Sequence, residues 1–223
     1  MTKDEFNLKY WMFYMQLEND FSKTFNYVEF TDDNLSTYSK EYAKQLISIG
    51  SELDIVFKAL CNEVDPTKAR SCITDYANIL CGYDNLTDAT VQFSYNKESY
   101  KPFDGWTPNS KPSWWGDYNK VKHNRAENDN IKLANLKNVF NALAALFILN
   151  RYLCKIVCSN KIMKEPEIKS NLFTMVGWDI CILEGNGFVR RLSTNGNMSV
   201  LVESWKSYYF TLAYRWSEPI KQK

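Results

Sequence analysis

In the segment SWWGDYNKVKHNRAE, residues 113–127, the one histidine of the chain, His123, follows Lys122 and is followed by Asn124 and Arg125. An unperturbed imidazole, with a pKa of about 6.5, both takes and gives a proton near neutrality. Cleavage of RNA through its own 2′-hydroxyl needs such a group. A cation beside it would stabilise the charge that develops on the phosphoryl oxygens. If the segment is helical, Asn119 and His123 stand one turn apart on one face, with Lys120 and Lys122 flanking them. Arg125 lies about 200° round from His123, so it meets the same phosphate only through helix curvature or a second chain. The plainer alternative is an exposed histidine in a solvated basic turn.

Trp114 and Trp115 add a second kind of chemistry, because aromatic faces beside lysines hold the bases of single-stranded nucleic acid. Neighbouring helical residues point about 100° apart, so one indole can be buried while the other stays near the surface, and core packing competes for both. Lys120, Lys122, Trp114 and Trp115 are thus the candidate RNA-binding set, beside His123, Asn119 and Arg125 as the catalytic one. The carboxylate pairs Asp32–Asp33 and Glu127–Asp129 lack a third acidic partner for a hard metal. The six cysteines, Cys61, Cys72, Cys81, Cys154, Cys158 and Cys181, form no CxxC pair. They are expected as reduced thiols, mostly in the core, and no metal or cofactor is expected. No phosphate-binding glycine loop, G-x-S-x-G elbow or metal-binding histidine pair occurs.

With 223 residues, 45% apolar and 24% charged, the chain is of an ordinary globular kind, rich in aromatics at 15%. Lys and Arg together number 27 against 26 for Asp and Glu, so any contact with a polyanion must come from a local patch. The start, MTKDEFNLKYWMFY, is acidic where a signal peptide is basic, which predicts a cytoplasmic protein. The longest apolar run, ALAALFIL at 142–149, is far short of the roughly 20 residues that cross a bilayer, so no membrane contact is expected.

Apolar residues recur at helical spacing over 3–24 (Phe6, Tyr10, Phe13, Tyr14, Leu17, Phe21), with Thr2 available as the cap. A second helix runs from its Ser39 cap to before Pro66, with Gly50 inside it marking close packing or a kink. A third, shorter one spans Thr67 to Cys81 and closes at Gly82. Residues 83–112 carry Pro102, Pro108, Pro112 and the alternating TVQFSY, and predict a long loop with a short strand pair. Helix resumes near Ser113, and Asn130 to Cys158 is the core helix. From Asn171 the period changes to two, in WDICILE, GFVRRL and MSVLVESW, with turns at 185–187 and 195–197. The expectation is a mainly α protein: a helical domain over 1–165 and a small antiparallel β segment over 166–223, packed on it.

A helical domain whose third long helix is preceded by a short helix carrying N-x-x-x-H, here Asn119 and His123 in YNKVKH, resembles the HEPN superfamily. The ribonuclease motif of that family is an Arg, four to six residues and a His, often with Asn directly after the Arg. At the shortest spacing the arginine would fall on Tyr118, and at the longer ones on Asp117 or Gly116, so it is absent. SELDIVFKAL at 51–60 also resembles the second helix of such domains, with Glu52 and Lys58 as its polar marks, which otherwise read as a solvated face. The resemblance covers roughly residues 5–160. It implies a HEPN-like bundle and a metal-independent RNase of toxin, abortive-infection or phage-defence systems that works as a homodimer with a shared cleft. In that role His123 is the acid/base, Asn119 orients it or the phosphate, and Arg125 or Lys122 replaces the arginine. It equally implies a second possibility, since some members have lost catalysis and bind RNA or protein partners.

Overall fold

The computed structural model describes residues 1–158, 166 and 168–178 in full, and the strands at 180–184, 188–192 and 198–202 through their backbones. The protein is mainly helical, with small antiparallel sheets.

Thr2 caps α1 (Lys3–Phe6) in a reciprocal pair with Glu5. A π-helical turn, Asn7–Trp11, joins α1 to α2 (Met12–Lys23). That turn inserts one residue and shifts the phase of the stripe. Phe6, Trp11, Tyr14 and Phe21 are buried, whereas Phe13, expected inside, is 58% exposed. α3 (Lys40–Val64) starts at Ser39, whose hydroxyl accepts from the Tyr42 amide at 2.9 Å, and ends ahead of Pro66. α4 (Ile73–Leu80) begins later than the spacing predicts, because Asp65 binds the backbone and hydroxyl of Thr67 and holds the chain in a turn. Gly82 is not a left-handed cap; that conformation falls on Asp84 and Asn85, at φ 48° and 55°.

α5 (Ser113–Asn124) holds the YNKVKH stretch. α6 (Leu136–Val157) is shorter than the predicted core helix, because residues 130–133 form a 3-10 turn and Asn135 supplies the cap. α6 is long and apolar enough to cross a bilayer by length and composition, and 83% of its most apolar window is buried in the protein.

α3 and α6 run parallel as the central pair, their starts joined by a bridge between Tyr38 and Asn135 and by the Leu136 amide donating to the Thr37 carbonyl at 2.9 Å. α2 lies antiparallel to both. Phe21 meets Phe140 and Trp11 meets Phe147, while Gln45 donates to the Asp20 carbonyl at 3.1 Å. α5 is antiparallel on the other flank, with the Tyr118 ring on Gly50 and Trp115 edge-on to Phe57.

The long loop carries β1 (Val91–Phe93) and β2 (Ser99–Tyr100). β3 (Phe173–Met175) adds to the other edge of β1, giving an antiparallel order β2-β1-β3. Phe93 and Phe173 from this sheet pack on Phe140 of α6. Residues 168–178, grouped by sequence with the C-terminal segment, are thus built into the helical body, and a domain boundary at 165 does not separate them from it. β4 (Ile180–Glu184), β5 (Phe188–Leu192) and β6 (Met198–Val202) form a second antiparallel sheet in that order. The turns expected at 185–187 and 195–197 lie outside the described residues.

Candidate nucleic-acid interface

His123 occupies the last turn of α5, with Lys122 beside it and Arg125 as the capping residue. Cations here are favourable to the helix itself, since the carbonyl end of a helix carries partial negative charge. The imidazole is exposed, and no hydrogen bond or ion pair holds it among the described residues. Arg125 is likewise exposed and has no ion pair among the described residues. Lys122 lies over the Tyr118 ring, 5.5 Å from its centroid, with no carboxylate partner among the described residues. Lys120 pairs with Asp117 at 3.3 Å, and the other oxygen of Asp117 accepts from the Asn138 amide at 3.0 Å, tying α5 to the first turn of α6.

Asn119 shares a face with His123, as the spacing predicts, but does not reach it. Its side-chain amide donates to the Trp115 carbonyl one turn back, at 2.9 Å. The loop beyond is pinned by Asn130, which donates to the Asn124 carbonyl at 2.9 Å, and Lys132 pairs with Asp129 at 2.7 Å.

The two tryptophans must be corrected. Trp114 and Trp115 are 2% and 7% exposed and present no face on which a base could stack. The Trp114 indole donates to the Pro102 carbonyl at 2.7 Å, and Trp115 is wedged against Phe57 and Tyr118. The long loop folds down over Trp114, while α3 and Tyr118 take up Trp115.

Glu52 is also misplaced by a solvated-face reading. Lys58 is exposed and pairs with Asp54 at 2.5 Å, but Glu52 is buried and its Oε1 has no hydrogen-bond partner among the described residues. Burial pushes its carboxyl above the ordinary range.

Among the described residues no group of three His, Cys, Asp or Glu side chains could hold a metal ion. Cys154 and Cys158 lie buried with their sulfurs 4.0 Å apart. Burial, helped by the neighbouring thiol, pushes Cys154 up to about 12, which keeps it a packed thiol rather than a metal-binding thiolate.

Sequence reasoning missed one polar centre. The carboxylate of Glu18, 1% exposed, accepts from the hydroxyls of Tyr14 and Ser170 and from the Asn171 amide at 2.7 Å. The only trace in the sequence is a glutamate in phase with the buried stripe. Beside Ser170 lies a cavity of about 60 Å³ walled by Phe147, Arg151, Phe173, Met175 and Trp178. A cavity that takes up benzene measures about 150 Å³, so this smaller space suits water better than an organic ligand.

No family model, no curated protein and no solved structure matches the chain.

Proposed function

We propose that the chain is a HEPN-like, RNA-directed module, and that the end of the bundle around His123 is its RNA-facing site. The observation that carries this reading is an exposed imidazole one helical turn from Asn119 and next to the cations Lys122 and Arg125, none of the three ion-paired among the described residues. In the enzymatic form the protein is a metal-independent endoribonuclease of a defence or toxin-type system. An imidazole takes the proton of the RNA 2′-hydroxyl, the freed oxygen attacks phosphorus, and the 5′-oxygen leaves with a proton from an imidazolium, giving a 2′,3′-cyclic phosphate. A single histidine cannot be base and acid in the same step, so a homodimer that joins two His123 ends supplies both roles.

A catalytically silent module that binds RNA or a protein partner is the second reading. It is favoured by Asn119, whose amide is engaged by the Trp115 carbonyl, and by Tyr118, buried at the position where the resembling family carries arginine. One assay separates the two: cleavage of mixed structured and single-stranded RNA in EDTA, wild type against His123→Ala. The enzymatic reading expects a loss of about 100- to 10,000-fold, with the fold retained because the side chain is exposed. Equal activity in both proteins, or none in either, removes catalysis.

A further inference from the structure

With Trp114 and Trp115 buried, the aromatic face beside the candidate site comes from elsewhere. Tyr38 is 47% exposed, and its backbone bridges to Asn135, the cap of α6. The residues on either side are fixed as well: the Thr37 carbonyl accepts from the Leu136 amide, and Ser39 caps α3 while its own amide donates to the Ala134 carbonyl at 3.4 Å. The tyrosine therefore projects from a rigid seam between the starts of the two longest helices. A ring presented in this way loses little conformational freedom when it binds.

Cations surround it. Lys40 and Lys137, in the first turns of α3 and α6, are exposed and carry no ion pair among the described residues. Lys132 lies within electrostatic reach of Tyr38, and its carbonyl accepts from the Asn135 side chain at 3.2 Å. The same short segment is bound to the end of α5 through Asn130 and Asn124, next to His123. Asp129 and Glu41 on this end are each engaged by a lysine, at 2.7 and 2.6 Å, and exposed pairs of that kind are weak. Asp32 and Asp33, a few residues before Tyr38 in sequence, are exposed acidic residues. Tyr27 is more exposed, at 87%, but lines a groove with Glu29, a poor neighbour for a polyanion.

Resting on the RNA-facing reading above, we infer that Tyr38 is a stacking platform for an unpaired base, with the strand's phosphates running from Lys40 and Lys137 past Lys132 to His123. The ligand is then single-stranded RNA, because a duplex keeps its base faces covered.

The test is fluorescence anisotropy in EDTA with a labelled 2′-O-methyl oligoribonucleotide, which lacks the attacking hydroxyl, used as a single strand and annealed to its complement. The full chain is compared with Tyr38→Leu, which keeps apolar bulk without an aromatic face, and with Tyr38→Phe. A stacked base is worth about 1–3 kcal/mol, so Tyr38→Leu should weaken single-strand binding about 5- to 150-fold. Tyr38→Phe should stay within about twofold of wild type, and duplex binding should not respond to either change. Wild-type affinity in Tyr38→Leu, or an equal loss for duplex, overturns the platform and leaves the RNA reading in place. A wild-type protein that binds neither form overturns both.

Discussion

The ring of Tyr118 in α5 lies directly on the backbone of Gly50 in α3, so close that a β-carbon at position 50 would overlap it. The contact brings the helices together where the candidate site begins. It also turns position 118 inward, with the tyrosine 3% exposed, one residue before Asn119. Position 118 is therefore closed to solvent, and the cations next to His123 are Lys122 in the last turn of α5 and Arg125 at its cap.

Gly50→Ala should destabilise the protein, although alanine is the better helix former by about 1 kcal/mol. Overpacking of this kind costs about 1–3 kcal/mol, and the buried ring has little room to move. Urea denaturation should show the loss, and Gly50→Ala combined with Tyr118→Ala should show no further penalty from position 50. A more stable Gly50→Ala protein would refute the close contact.

Trp114→Phe should cost about 1–2 kcal/mol, from the lost bond to the Pro102 carbonyl and the smaller ring, while leaving RNA affinity unchanged. A weaker affinity for single-stranded RNA with unaltered stability would return this residue to the binding surface.

The helices are legible in sequence to the extent that their signals are local. Ser39 and Pro66 bracket α3 because a cap and a proline act on adjacent residues, and Gly50 announces a close approach without naming its partner. The π turn leaves no such mark, and one extra residue between Phe6 and Trp11 is enough to move Phe13 from the expected core to the surface. The shared face of Asn119 and His123 follows from their spacing. That Asn119 spends its amide on its own helix, and that the loop at Pro102 covers Trp114, depends on contacts that periodicity does not encode. Glu18 and Ser170 meet across 152 residues and are invisible to any local rule.

Stability should fall in alkali. Burial pushes Cys61 and Cys154 from 9.0 up to about 12, and burial together with the Glu18 carboxylate raises Tyr14 well above its ordinary 10.0. The folded state keeps these protons while the unfolded chain releases them, so it binds more protons above pH about 9 and loses stability as pH rises. Denaturant midpoints between pH 7 and 11 should drop beyond pH about 9 and more steeply past 10, where tyrosine joins. A flat profile would contradict the burial of these groups.

Glu52→Gln should stabilise the protein by about 1 kcal/mol at pH 7. The carboxyl is raised above its ordinary 4.5 in the folded state, so whatever it contributes is complete below that value and is lost as the group ionises at higher pH. The gain should therefore vanish near pH 4. An equal gain at both pH values would show that charge is not the cause.

The pairing of β3 with β1, and of Ser170 with Glu18, also bears on the order in which a ribosome delivers this chain. Every described helix has been made before residue 168 emerges, yet at that moment the Glu18 carboxylate lacks the hydroxyl of Ser170 and the amide of Asn171, and β1 shows a bare edge. A nascent chain halted there holds these helices but leaves the buried Glu18 side chain with Tyr14 alone of its three partners, and an edge open to other strands. The segment 168–178 is the closing stitch, so maturation waits on translation nearly to the end of the helical body's sequence rather than proceeding helix by helix.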